Sequence, residues 1–209
     1  MLDTLLAWLN APAGSLGSRA ELIGSLLGVW MVVCNIRVNP LAWPLAITSS
    51  ALYGLVFHAA GLHGNAWLQG LFIVVACWGW WEWLKGRESD GRALAVRTLS
   101  ARGRVVVVAA WLALTPAIVW LLHEHATPAA WADGFVSAGS VVAQFLLARK
   151  RVENWVVWTA VNAVGVVLFA QQGLMMTTGL YLLFLVMALL GWRAWAQRAR
   201  TPQTAVAHA

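Results

Sequence analysis

The sequence repeats itself. Displaced by 112 positions (21 to 133), the chain registers on itself without a gap: Glu21 falls on Asp133, Arg37 on Arg149, Trp43 on Trp155, Phe57 on Phe169 and Gly61 on Gly173. The register continues through Leu68 and Leu180, Phe72 and Phe184, Gly79 and Gly191, Trp80 and Trp192, and Trp83 and Trp195. Leucine pairs mean little in an apolar chain. Tryptophan, phenylalanine, an acid and an arginine recurring at one offset mark an internal duplication.

What duplicates is membrane-spanning. Of 209 residues 61% are apolar and 11% charged, about half the charge fraction of a soluble domain. Seven stretches are long enough to cross about 30 Å of hydrocarbon: 20–36, 41–59, 65–85, 104–122, 130–148, 153–171 and 174–196. The net charge of +6 does not point to nucleic acid, because its distribution follows membrane orientation. With the amino terminus outside, thirteen of the 14 basic residues fall on the cytoplasmic side and only Arg19 does not. Spans one to three and five to seven then run in the same sense, and an odd-numbered triplet needs one extra span to reconnect it. The fourth stretch, VVVVAAWLALTPAIVWLL, has no repeat partner and fits that role. The expected fold is an all-α membrane protein with seven transmembrane helices, two parallel three-helix repeats joined by a linker helix.

The divisions are an interfacial segment over 1–19, a first repeat over 20–85 and a basic cytoplasmic loop over 86–103. A linker helix and outer loop follow over 104–129, a second repeat over 130–196 and a disordered tail over 197–209. The amino-terminal run has no basic region ahead of its apolar residues, which makes it a poor secretory signal. The loop reads as solvated, or as an amphipathic helix with Leu94, Val96 and Leu99 toward the membrane. Cys34 and Cys77 sit in apolar runs without metal-ligand spacing. Gly54, Gly165, Gly179 and Gly191 read as close-packing or hinge positions.

The stretch Trp155-Val156-Val157-Trp158-Thr159-Ala160-Val161-Asn162 carries the most chemistry. On a helix, position 158 lies about 60° and position 162 about 20° from 155, over roughly 10 Å of axis. Two indoles and a carboxamide therefore share one stripe, as long as a nucleoside-sized molecule. The alternative is that the tryptophans anchor at the interface and Asn162 bonds a neighbouring helix.

With its AD…S…Q…RK…ENWxxW…N…G…Y…F…GWxxW pattern, the second half resembles the PnuC family of nicotinamide riboside and related vitamin transporters. Trp43-Pro44, Tyr53, Phe57, Leu68-Gln69 and Gly79-Trp80-x-x-Trp83 are the first-half counterparts. The resemblance implies a SWEET-like arrangement, a homotrimer in the inner membrane, and facilitated diffusion with trapping by a cytosolic kinase. It makes Trp155, Trp158 and Asn162 substrate contacts, and Gln144, Ser140, Gln69 and Tyr53 cavity-lining groups. Trp43 and Ser50 join them as the repeat mates of Trp155 and Asn162. The outer run Leu62-His63-Gly64-Asn65-Ala66-Trp67-Leu68-Gln69 departs from the Leu-Tyr-x-Asp-x-x-Leu-Gln pattern and puts substrate identity in doubt.

Stacked indoles suit a cationic pyridinium or thiazolium through cation–π attraction, and equally a neutral isoalloxazine or nucleobase. Nicotinamide riboside is the first candidate, with thiamine, riboflavin or a deoxynucleoside as alternatives and a non-transporting sensor or scaffold as a minor one. Glu21 and Asp133 read as helix-end charges, or as an outer mouth that draws a cation. Glu82 and Glu153 lie at inner ends beside basic residues. His123-Glu124-His125 falls short of a metal site. No phosphate-cradling loop, Ser–His pairing or intramembrane acid cluster is present, so neither enzyme, cofactor nor metal is expected.

Overall fold

A computed structural model of the chain describes residues 19–59, 63–87, 91, 93–122 and 127–201, and within these only the backbone of residues 20, 21, 56, 57, 59, 63–65 and 122. Residues 1–18 of the expected interfacial segment, 202–209 of the expected tail and His123–His125 lie outside the described residues, while 197–200, expected to be disordered, continue the last helix. Seven helices follow in order: α1 Arg19–Ile36, α2 Ala42–Ala59, α3 His63–Lys85, α4 Ala101–Leu122, α5 Pro128–Ala148, α6 Glu153–Gln171 and α7 Met175–Arg200. Among the described residues α4 to α7 are each long and apolar enough to cross a bilayer by themselves, and α1 contributes a shorter apolar stretch over Leu22–Ile36. Of the starts that fall earlier than hydropathy suggests, those of α4 and α5 are set by capping side chains. Ser100 Oγ accepts from Gly103 N at 3.2 Å, and Thr127 Oγ1 accepts from Ala130 N with Pro128 in the first turn.

The duplication is written into the backbone. Val38 and Lys150, 112 apart, both adopt the left-handed conformation, with φ 59° and 49°. Around them Asn39 N donates to Cys34 O and Arg151 N to Leu146 O, both at 2.8 Å. Trp43 N and Trp155 N donate to Pro40 O and Val152 O, both at 3.1 Å. A valine at positive φ is costly, and the same turn recurs with lysine. The turn geometry, not either side chain, is what the two halves share.

Within each half neighbouring helices pack in sequence, α1 on α2 on α3 and α5 on α6 on α7. Between halves α3 packs on α5 and α1 on α7, contacts that exchange when the halves are swapped. Trp83 Nε1 on α3 donates to Leu147 O at the end of α5 at 3.1 Å. Its mate, Trp195 Nε1 on α7, donates to Asn35 O at the end of α1 at 3.1 Å. The carboxyl-terminal ends of α1, α3, α5 and α7 thus meet at one end of the bundle, so the two triplets stand the same way up. This end carries Arg37, Lys85, Arg149, Lys150 and Arg198 and is called the basic end below. Helix α4 packs mainly on α5 and leaves most of its surface outward, Trp120 being 84% exposed. Such a surface belongs in lipid.

Among the described residues, the run over 93–100 forms no amphipathic helix, and it is tied to the bundle rather than wholly solvated. It crosses the basic end as an extended strap. Leu94 is buried in the core, Arg97 N donates to Lys150 O at 3.1 Å and Val152 N to Arg97 O at 3.0 Å. Leu99 N donates to both carboxylate oxygens of Glu153 at 3.0 Å. The strap satisfies backbone groups of the α5–α6 turn that would otherwise lack partners, a role that charge counting does not reveal.

Candidate functional site

Four tryptophans fill the basic end between the halves. Trp43 meets Trp83 edge-to-face at 5.4 Å and 86°, and Trp155 meets Trp195 at 5.6 Å and 84°. Trp83 and Trp195 join the pairs across the pseudo-two-fold at 6.2 Å. Each outer indole lies over a glycine: a Cβ on Gly79 would strike Trp43, and one on Gly191 would come within 2.6 Å of Trp155. Both indole N–H groups, of Trp43 and Trp155, are buried without a partner, so that feature too belongs to the repeat.

Above this cluster lies a cavity of about 260 Å³. Its wall comes from both halves in matched positions, namely Val32 and Gln144, Asn35 and Leu147, Ala46 and Trp158, Ser49 and Val161, Ser50 and Asn162, Phe72 and Phe184. The cavity therefore sits on the pseudo-two-fold axis. Along α6 the stripe expected from the sequence is present: Trp155 forms part of the floor, Trp158 is half-buried one turn on, and Asn162 is 5% exposed a further turn on. From α5, Gln144 and Ser140 face the same space, Ser140 Oγ donating to Val136 O at 2.8 Å. Among the described residues no protein group bonds the carboxamide of Asn162 or of Gln144. Their donors and acceptors are left for an occupant. Ser50, an α2 hydroxyl, completes the set.

Three expected positions are elsewhere. Trp43 is 1% exposed in the tryptophan cluster and does not reach the cavity that its mate Trp155 lines. The Tyr53 ring lies over Gly24, in the α1–α2 interface. Gln69 packs on α2 where Gly54 leaves room. Their repeat mates show why. Position 165, the mate of Tyr53, is glycine, and position 181, the mate of Gln69, is tyrosine, so in the second half the ring stands on α7 over Gly165 and lines the cavity. Tyr181, Asn35, Phe72 and Phe184 line the wall without having been singled out as contacts. For Tyr181 the signal was its offset from Gln69. Asn35, whose Oδ1 is buried without a partner, gave none, because its mate is Leu147. Of the four glycines expected to pack or hinge, Gly165 and Gly191 are in close contact, Gly54 is in ordinary contact, and Gly179 faces open space.

The acids divide. Glu82 is buried and paired with Arg149 at 2.6 Å, and Glu153 pairs with Arg104 at 3.1 Å, so both fasten the basic end. Asp133 is half-buried within electrostatic reach of Tyr181, and the side chain of Glu21 lies outside the described residues. No cluster of three metal-ligating side chains occurs among the described residues. A larger groove of about 670 Å³ runs between α4, α6 and α7, walled by Val108, Val156 and Trp192. These side chains are exposed and apolar, so this stretch of the groove faces lipid, while Arg104, Glu153 and Arg200 line its other end.

A family model described as nicotinamide mononucleotide transporter matches residues 18–197. The chain is similar to the riboflavin/roseoflavin transporter RibM of Streptomyces davaonensis, 28% identical over 92% of this chain and 93% of that one. It is also similar to the nicotinamide riboside transporter PnuC of Escherichia coli K12, 24% identical over 91% of this chain and 92% of that one. A solved structure, that of the vitamin B3 transporter PnuC, overlays with a TM-score of 0.69 at 24% identity, covering 95% of this chain and 89% of the other.

Proposed function

Because this chain belongs to the nicotinamide mononucleotide transporter family, we propose that it is a B-vitamin carrier whose substrate is nicotinamide riboside, bound one molecule at a time in the cavity on the pseudo-two-fold axis. The observation that carries this reading is the pairing of aromatic faces with unbonded carboxamides. Trp155, Trp158 and Tyr181 offer rings, and Asn162 and Gln144 offer donors and acceptors suited to ribose hydroxyls and an amide. The pyridinium charge gains from the indole face, by about 0.5–2 kcal/mol. The described lining holds no Lys, Arg or His, which favours a nucleoside over its phosphorylated form, since a buried phosphate needs cationic partners. The reading includes facilitated diffusion, trapping by cytosolic phosphorylation, a homotrimer, and an orientation with the amino terminus outside and the basic end cytoplasmic.

A second reading, riboflavin, draws on the 28% identity to a riboflavin/roseoflavin carrier. Size argues against it. A cavity of about 260 Å³ falls below the roughly 300–1,000 Å³ usual for ligand sites, and suits a single ring with a ribose better than a tricyclic ring with a ribityl chain. Counterflow of labelled nicotinamide riboside in proteoliposomes, competed by unlabelled riboflavin, thiamine and deoxynucleosides, tests the assignment. Exchange competed only by nicotinamide riboside is expected. Exchange of riboflavin alone would replace the substrate, and binding without exchange would end the carrier reading.

A further inference from the structure

A second recess, of about 530 Å³, opens at the basic end, outside the tryptophan cluster. Four separate parts of the chain wall it: the α1–α2 turn through Arg37 and Val38, the strap through Leu94 to Val96, the α5–α6 turn through Lys150, and the end of α7 through Arg198 and Thr201. Three cationic side chains converge there, and its described wall contains no acid. The two described acids of this end are engaged elsewhere, Glu82 with Arg149 and Glu153 with Arg104 and Leu99 N.

Each cation keeps donors in reserve. Among the described residues the Arg37 guanidinium bonds nothing. Arg198 spends Nη1 on Ile36 O at 2.8 Å, leaving most of its five donors. Lys150 Nζ donates to Leu94 O at 3.0 Å and stands 5.2 Å from the Trp83 ring centre, which leaves two of its three. Burial pulls the Lys150 ammonium below the usual lysine range, a cost that an anion in the recess would offset. A carboxylate presents two oxygens in one plane, whereas a phosphate presents oxygens in several directions, matching donors that arrive from three different segments.

We propose that this recess is a phosphate-binding site, taking the phosphate of a free phosphomonoester or inorganic phosphate, or that of an anionic lipid headgroup. The assignment does not depend on which vitamin the central cavity carries. Two probes distinguish the sources. Thermal unfolding of the purified full chain is followed in sodium phosphate against sodium chloride at equal ionic strength, and native mass spectrometry counts phosphatidylglycerol retained from nanodiscs containing it and phosphatidylcholine. A free-phosphate site predicts a phosphate-dependent rise in Tm whose midpoint concentration increases about ten-fold or more in Arg37→Gln. A lipid site predicts no such rise, but retained phosphatidylglycerol that Arg37→Gln loses. Arg37 is exposed, so its replacement leaves the fold in place. Arg193→Gln, which removes the same charge from an exposed residue outside the recess, should leave both readouts unchanged. Equal effects of the two variants, or no difference between wild type and Arg37→Gln with either probe, would overturn the proposal.

Discussion

The two halves agree where they hold each other and differ where they face the cavity. Residues identical in both, Trp43 and Trp155, Trp83 and Trp195, Gly79 and Gly191, form one packed cluster at the basic end. Five of the six matched wall pairs have diverged, among them Ala46 against Trp158, Ser50 against Asn162 and Val32 against Gln144, and only Phe72 and Phe184 are alike. The second half supplies most of the rings and amides, and the first, apart from Asn35 and Phe72, supplies small or apolar surface. A nucleoside has no two-fold symmetry, so a pocket on a two-fold axis can recognise it only by making its halves unlike. Repetition here marks architecture, and departure from repetition marks recognition.

That contrast can be broken at several points. The largest effect is expected at Asn162. Asn162→Leu leaves a folded membrane protein with no measurable uptake, whereas Ser50→Ala, at the matched position, changes uptake less than about three-fold, since a single neutral hydrogen bond contributes only about 0.5–1.5 kcal/mol. Equal losses at both positions in a transport assay would mean that the halves share recognition evenly. Next come the matched indole positions. Trp43→Ala is expected to cost stability, about 3–5 kcal/mol in detergent unfolding, through the void it leaves. Trp158→Ala, which copies Ala46, should cost less stability than Trp43→Ala, because Trp158 is only half-buried at the edge of the two core clusters, and should weaken binding about ten-fold through lost stacking. Gly79→Ala and Gly191→Ala sharpen the comparison, because each pushes a methyl into an indole. Both should lower stability by about 1–3 kcal/mol, and by similar amounts. The smallest effects belong to Trp83→Phe and Trp195→Phe. The first removes one indole hydrogen bond and the second an indole donor shared between Asn35 O and Ile36 O, each worth about 1 kcal/mol, with affinity at the cavity unchanged by titration.

Much of this was legible beforehand. The 112-residue register, the seven apolar stretches and the distribution of Lys and Arg lead to the three-plus-one-plus-three arrangement that the helices adopt. The stripe on α6 emerges from helical spacing alone, and Asn162, Trp158 and Trp155 do meet one cavity. Symmetry misled at Trp43. Treating the mate of a contact residue as another contact ignores that the indole of Trp155 is both floor and packing, and only the packing is inherited. Tyr53 and Gln69 fail for a related reason: which of two facing helices carries the tyrosine switches between halves, and helical periodicity does not say across which interface a ring will fall. The strap was hidden because its partners, backbone groups of a distant turn together with the side chains of Lys150 and Glu153, bond its backbone, and side-chain patterning along the strap carries no trace of them.

The crossed indole hydrogen bonds, Trp83 to Leu147 O and Trp195 to Asn35 O, act as one buckle with two tongues. Each tongue is rooted in one bundle and latched in the other, so no rocking of the bundles at this end releases one without loading its twin. A way out beneath the cavity therefore needs both tongues released, since either one left fastened still ties the two bundles together.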